Sequence, residues 1–114
     1  MQVERNFENN SYVFRIDKFR VPASARAELL EIVHSTHQLL RTLPGFVEDF
    51  LLEQTNGGAT ANLLTIAVWE NRQAFDSAGT LVQQRYREIG FHPAELHRRL
   101  GIEADLAVYT ALND

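Results

Sequence analysis

The pattern of apolar and polar positions along the chain predicts four strands and two long helices. The pattern is clearest over residues 63–69, where apolar side chains occupy both faces of a strand. One face carries Leu64, Ile66 and Val68, and the other carries Leu63, Thr65, Ala67 and Trp69. A strand that is apolar on both faces needs a covering layer on each side. In a chain of 114 residues its own helices can form one layer, and we expect a second subunit to form the other.

Strand periodicity recurs in three further segments. The four predicted strands are residues 12–19, 46–54, 63–69 and 106–112. Between the second and third strands, Asn56-Gly57-Gly58 supplies the turn residues of a hairpin.

Two helices are predicted between these strands. The first follows Val21-Pro22 and stops at Pro44-Gly45, because proline suits a first turn and the Pro-Gly pair ends a helix. Its apolar stripe is Leu29, Ile32, Val33, Thr36, Leu39, Leu40 and Leu43. The second starts after Asn71, a favourable N-cap, and is broken at Phe91-His92-Pro93. Its inward residues are Ala74, Phe75, Ala78, Leu81, Val82 and Ile89, and residues 94–100 form a short further helix.

The order β-α-β-β-α-β predicts an α+β, ferredoxin-like fold with both helices on one face of a four-stranded antiparallel sheet. Residues 1–10 are predicted to be a flexible leader, and residues 11–114 a single domain. The other sheet face is left bare, with Tyr12, Phe14, Ile16, Leu64, Ile66 and Val68 on it. Two copies packed sheet to sheet would bury this patch, so we expect a homodimer through the sheet face.

Composition narrows the possible functions. Apolar residues make up 45% and charged residues 23%, as in ordinary globular proteins, and the net charge of −4 argues against general nucleic-acid binding. No apolar run approaches the ~20 residues of a membrane span. The absence of cysteine excludes disulfides, thiolate chemistry and cysteine-bound zinc. The polar N-terminal stretch lacks a signal peptide's hydrophobic region, so a cytoplasmic location and no membrane association are expected.

Chemistry-bearing residues concentrate on the sheet face predicted to meet the helices. Arg15 and Asp17 lie two apart there and form either a salt bridge at the rim or part of a pocket. Trp69 is either an aromatic pocket wall or a core residue. Phe75, one turn into the second helix, is favoured as core, with ligand contact as the alternative. Thr65 completes this polar set.

Arginine and histidine on the helices supply further candidates. Arg85 falls inside the predicted apolar stripe, so it either extends into solvent or meets an anion. His34 and His37 have a spacing that could bind metal, but surface positions are favoured for both. His92 and His97 flank a proline and a basic run, which is typical of a solvated helix end near a cleft mouth.

Three motifs resemble the antibiotic biosynthesis monooxygenase family. They are LPGF at 43–46, TIAVWE at 65–70 and NRQAF at 71–75, and the resemblance extends over residues 12–112. It implies a dimeric α/β barrel built from ferredoxin-like protomers. The family includes cofactor-free quinone-forming oxygenases, haem-degrading enzymes, isomerase-like members and proteins without a known reaction.

The family's subgroups differ from this chain at several positions. Quinone-forming members have an asparagine four residues before the tryptophan and a tyrosine six after it, where this chain has Thr65 and Phe75. Their helical arginine is matched by Arg85 only with a gap. Haem-degrading members have an asparagine, a tryptophan and a histidine where the nearest residues here are Asp17, Ala78 and Glu88, so the resemblance does not extend to haem binding.

The resemblance therefore implies a cofactor-independent monooxygenase that uses O₂ on a phenolic, hydroquinone or anthrone-like aromatic, with no metal or flavin. The small aromatic ligand would lie flat against Trp69. Arg85 or Arg15 would stabilise its anion, and Asp17, or His37 if it reaches inward, would take the proton. Two alternatives stay open: a non-catalytic dimer that binds a small hydrophobic molecule, and an accessory domain with a collapsed pocket.

Overall fold

The computed structural model describes residues 11–112 and contains the elements that the sequence pattern predicts. They are β1 (Val13–Arg20), a 3₁₀ turn (Ala23–Ala25), α1 (Arg26–Leu40), β2 (Phe46–Glu53), β3 (Leu63–Trp69), α2 (Arg72–Ile89), α3 (Pro93–Leu100) and β4 (Glu103–Thr110). The predicted leader, residues 1–10, lies outside the described residues. None of the described helices is long and apolar enough to cross a membrane.

The four strands form one antiparallel sheet in the order β2-β3-β1-β4. This order confirms the ferredoxin-like α+β fold. β1 and β3 occupy the centre, and their register aligns Arg15 with Ala67 and Asp17 with Thr65. Since directly opposed residues share a face, the predicted set of Arg15, Asp17, Thr65 and Trp69 does lie on one side of the sheet.

The largest differences from the predicted boundaries are at the start of β4 and the start of α1. β4 begins at Glu103 rather than at residue 106, because its first residue pairs with Arg20 at the end of β1, where their side chains form a 3.1 Å ion pair. The chain after Pro22 first makes a 3₁₀ turn, and the α-helix begins only at Arg26. By contrast, the Asn71 cap is confirmed, since its side chain accepts a 2.8 Å hydrogen bond from the Ala74 amide.

Gly45 brings the start of α2 against the start of β2. Its φ is +82°, a conformation that L side chains rarely adopt. A Cβ on Gly45 would lie 2.3 Å from the Cβ of Ala74, so only glycine fits between the two backbones. The Gly45 carbonyl also accepts a 2.8 Å hydrogen bond from the Glu70 amide. Together these contacts set the point from which α2 crosses the sheet.

The apolar core on the helix side of the sheet is divided into two clusters. One contains Phe19, Val21, Ala25, Leu29, Val33, Leu63 and Ile102. The other contains Val13, Ala67, Trp69 and Ala78. Between Val13 and Phe19, which belong to different clusters, β1 places Arg15 and Asp17 on the same face. The charged pair therefore lies between the two clusters.

The opposite face of the sheet is apolar and carries no helix among the described elements. Phe14, Ile16, Leu64 and Ile66 on its central strands are half-buried, whereas Val68 is buried within a single chain. The edge strands add Phe50, Leu52 and Tyr109, which are 40%, 46% and 41% exposed. We propose that a second copy of the chain covers this face, because self-association buries the same apolar patch on both partners.

Replacing Ile66 with glutamate tests this proposal. Ile66 lies at the centre of the face, where a carboxylate would be buried without a partner, so the variant should dissociate or lose stability. Light scattering should report a dimer for the wild type and a monomer for Ile66→Glu. Gln84→Glu, at an exposed position on α2, is the matched control and should remain dimeric. A monomeric wild type, or a folded and still dimeric Ile66→Glu, would refute the proposed interface.

Candidate functional site

A cavity of about 440 Å³ lies between the inner face of the sheet and the helices. Aromatic side chains supply much of its wall, namely Phe19, Trp69, Phe75, Tyr86 and Phe91. Its polar lining residues are Arg15, Asp17, Thr36, His37, Thr65, Gln83 and His97. The volume lies within the range of sites for small organic ligands, which combine apolar walls with a few polar groups.

Trp69 is both a core residue and a cavity wall. It is 3% exposed and belongs to the cluster at the start of β1. Its ring makes an edge-to-face contact with Phe46 at a centroid distance of 5.6 Å, which holds its orientation. Phe75 packs on the same cluster and also lines the cavity. The two sequence interpretations of these aromatics are therefore compatible.

Arg15 and Asp17 form a pair inside the cavity. The Arg15 Nε donates a hydrogen bond to Asp17 Oδ1, and both residues line the cavity. Burial raises the pKa of the Asp17 carboxyl above its usual value, although the positive charge and hydrogen bond of Arg15 act to lower it. Of the two sequence interpretations, the pocket position is the one observed.

His37 is directed into the protein, so the surface position favoured from the sequence is wrong for this residue. It is 7% exposed and lines the cavity, while His34, one turn earlier, is exposed as expected. Its Nδ1 lies 3.7 Å from Oδ2 of Asp49 on β2. Burial lowers the pKa of His37, with Asp49 opposing that shift, so the neutral imidazole is favoured. The inward position follows from helix geometry, because His37 comes one turn after Val33 and two turns after Leu29, the other buried residues of α1.

Asp49 is itself held by Arg41, the residue that caps α1. The guanidinium donates two hydrogen bonds of 2.8 and 2.9 Å to the two carboxylate oxygens. These bonds lower the pKa of Asp49 and keep it ionised. The helix end, the strand and the imidazole are thereby joined in one series of contacts, Arg41–Asp49–His37.

His97 lies at the cavity, in agreement with its predicted place near a cleft mouth, but it is partly buried rather than solvated. It lines the cavity, its ring makes an edge contact with Phe19 at 5.7 Å, and burial lowers its pKa. The cause is that α3 packs inward through Leu96, which is buried, and carries the next residue with it. His92 precedes this helix and is exposed, as expected.

Arg85 is exposed and is not among the residues that line the cavity. The cavity-facing row of α2 consists of Phe75, Ala78, Gly79, Val82, Gln83 and Tyr86. At 3.6 residues per turn, Arg85 lies roughly 100° around the helix from the centre of that row. The predicted stripe was centred too far toward Leu81 and Ile89, which are exposed. Arg15 is therefore the arginine that contributes to the cavity lining.

The cavity communicates with solvent beside β4. Leu106 lies opposite Asp17 on the inner face, lines the cavity and is nevertheless 48% exposed. Its neighbour on that face, Val108, is exposed as well. A ligand can thus enter along this edge, past two apolar side chains.

Sequence reasoning missed Asp49, Arg41 and the inward position of His97. A register shift between Phe46 and Glu48 interrupts the alternation of β2, so Asp49 faces inward where a regular strand would direct it outward. The residual signal was an acidic residue eight positions after an arginine, across a Pro-Gly turn. Such a signal is too common to identify a site.

Comparisons with known proteins agree with this architecture. The sequence model for antibiotic biosynthesis monooxygenases matches residues 13–84. The solved structure of SnoaB, a cofactor-independent oxygenase from Streptomyces nogalater, is 28% identical with a TM-score of 0.66, covering 91% of this chain and 96% of that one. The heme-degrading protein Rv3592 from Mycobacterium tuberculosis is similar in fold, with 22% identity, a TM-score of 0.61, and coverage of 90% and 93%. No protein of curated function matched the sequence.

The two cavity histidines predict how stability depends on pH. Their pKa values are lowered in the folded protein, so below 6.5, the ordinary value, the unfolded chain binds more protons than the folded one. Stability should therefore fall as the pH decreases from 6.5 through the folded-state pKa values. The raised pKa of Asp17 has the opposite effect: its contribution to stability increases as the pH falls from the folded-state pKa toward 3.8, the ordinary value.

Urea unfolding measured across this pH range tests the prediction. The stability of His37→Gln should depend less steeply on pH than that of the wild type, and His34→Gln is the control. Equal slopes for wild type and His37→Gln would contradict this.

Proposed function

The chain belongs to the antibiotic biosynthesis monooxygenase family, and we propose that it oxidises a small phenolic, hydroquinone or anthrone-like aromatic with O₂ and no cofactor. The family supports a monooxygenase-like role, and the substrate class is our inference. One observation carries it: the cavity combines aromatic walls with a band of ionisable side chains at its sheet side. A planar, weakly acidic aromatic matches both features. The likeness to SnoaB is further support.

The residues divide into two groups by what they can do for such a substrate. Trp69 and Phe75 offer flat apolar surface to the ring. Arg15 uses its Nε for Asp17, so its terminal nitrogens stay available as donors, and its positive charge favours an anionic form of the substrate. Thr65 replaces the asparagine of quinone-forming members and still provides a hydroxyl at the cavity wall.

The reaction proposed for an anthrone balances without an added reductant. A base removes a proton from the substrate, and the anion transfers one electron to O₂, giving a substrate radical and superoxide. These combine through a C–O bond, and protonation gives a hydroperoxide. Loss of the remaining C–H proton and cleavage of the O–O bond release water and form the C=O group. One oxygen atom enters the quinone and the other leaves as water, so one O₂ is consumed per anthrone.

The protein's contribution is positioning, exclusion of water and stabilisation of charge. Orientation of a bound aromatic in a restricted cavity lowers the entropic barrier to reaction. Apolar walls strengthen the interaction of Arg15 with a developing anion, because the local dielectric constant is lower than that of water. These effects act on the deprotonation step and on the electron transfer that follows it.

A binding protein for a small hydrophobic molecule is the second candidate. The same aromatic walls and open edge at β4 favour it equally. The two functions differ in one measurable outcome, since only the oxygenase consumes O₂ when the ligand is bound.

Gly79→Leu tests whether the cavity is the binding site, both for the oxygenase and for the binding protein. Gly79 lines the cavity and a Cβ there meets nothing within 4 Å, so leucine can extend into the space that the ligand would occupy. Replacing a helical glycine should also raise stability by about 1 kcal/mol, so lost binding cannot be ascribed to unfolding. Anthrone should quench the single tryptophan and consume O₂ in the wild type, and Gly79→Leu should do neither.

Gln84→Leu is the matched control, because it adds an apolar side chain at an exposed position of the same helix. It should quench and consume O₂ like the wild type. Quenching without O₂ uptake in the wild type would favour the binding protein. Equal quenching in wild type and Gly79→Leu would remove the cavity as the site.

A further inference from the structure

The base that starts the proposed reaction needs a free lone pair in the cavity and a fixed orientation. Three ionisable lining residues, Asp17, His37 and His97, satisfy the first requirement by position. They differ in the neighbouring groups that fix the orientation of each side chain. An acid–base group acts efficiently when a second group fixes its tautomer and stabilises its charged form.

Of these three residues, only His37 lies beside a carboxylate that a neighbouring arginine keeps ionised. Asp49 Oδ2 lies 3.7 Å from Nδ1, and Arg41 holds both Asp49 oxygens. A carboxylate facing Nδ1 favours the tautomer with the proton on that nitrogen, which leaves Nε2 as an acceptor. The neighbouring helix end fixes the carboxylate, and burial of His37, which is 7% exposed, restricts the orientation of its imidazole.

The other two candidates lack this arrangement. Asp17 already accepts a hydrogen bond from Arg15, which competes with a substrate proton for its lone pairs. The ring of His97 contacts the edge of Phe19, and within residues 11–112 no carboxylate lies within ion-pair distance of it. Both are suited to shaping the charge of the cavity rather than to taking the first proton.

We infer that His37 is the catalytic base of the cavity, with Asp49 and Arg41 as its positioning residues. The inference rests on the proposed function and assigns its first step. Nε2 takes the substrate proton, the imidazolium is stabilised by Asp49, and the same proton is available for the peroxide formed later. The charged and titratable groups around His37 are Asp17 from β1, Asp49 from β2, and Arg41 and His34 from its own chain segment.

Anaerobic titration with anthrone separates this inference from the oxygenase reaction. Without O₂ the reaction stops at the anion, which absorbs visible light whereas neutral anthrone does not. The wild type should generate the bound anion. His37→Gln should still bind anthrone, as measured by tryptophan quenching, but should not form the anion. His34→Gln, one turn away and exposed, should behave as the wild type. In air, His37→Gln should reduce the rate of O₂ uptake by about 100-fold or more.

Asp49→Asn tests the positioning role with a readout that a structural role would not change. Removal of the carboxylate takes away the group that favours the imidazolium, so the pKa of His37, followed by NMR in the free protein, should move further down. The population of the Nδ1–H tautomer of His37 should also decrease. The low-pH limb of anion formation should shift to lower pH by the same amount, while the yield at the plateau decreases.

The outcomes distinguish the two levels of the proposal. Anion formation without O₂ uptake in the wild type would leave His37 as the base and refute the oxygenase. O₂ uptake that is unchanged in His37→Gln would refute His37 while the oxygenase stands. An Asp49→Asn variant with an unchanged His37 pKa and tautomer would refute the positioning role. If His37→Gln does not fold, Asp49→Asn, which preserves side-chain shape, tests both roles: a low-pH limb of anion formation that does not follow the measured pKa of His37 would refute His37 as the base.

Discussion

The charged pair on the inner face of β1 is the constraint on which the rest of the structure depends. Arg15 and Asp17 occupy the face that the helices would otherwise cover with apolar side chains. Burying two charges under a dry helix layer is costly, even when they are paired. The apolar core is accordingly split into a cluster at each end of β1, with a cavity between them. The cavity is thus a consequence of two residues in the central strand.

The same constraint explains where the acid–base groups lie. Across the sheet, Thr65 on β3 lies directly opposite Asp17, and Asp49 on β2 lies two strands from Arg15, with Ala67 between them. The helices meet this polar band with His37 and His97, whose burial keeps them neutral. The outer face of the sheet has no such band and remains apolar, so the two faces differ in kind: one borders the cavity and the other is suited to a second copy.

The fold and half of the site could be predicted from the sequence because they follow from local periodicity. The apolar run over residues 63–69 identified the bounds of β3, and the two-residue period of a strand placed Thr65 and Trp69 on the face of Arg15 and Asp17. Asp49 was missed because the bulge after Phe46 reverses the alternation, and that bulge is not encoded in any local pattern. Arg85 was misplaced because two apolar residues of α2, Leu81 and Ile89, are exposed, which shifted the predicted stripe. His37 was assigned to the surface because the predicted stripe was centred away from the row of Leu29 and Val33, which it continues.

The most direct measurement of the central claim is a crystal structure of the protein with anthrone, prepared without oxygen. The compound should lie in the cavity against Trp69, with its oxygen or its acidic carbon about 3 Å from Nε2 of His37. Asp49 and Arg41 should keep their two hydrogen bonds in that complex. Anthrone bound on the outer face of the sheet, or a cavity closed by side chains around Arg15 and Asp17, would contradict the account.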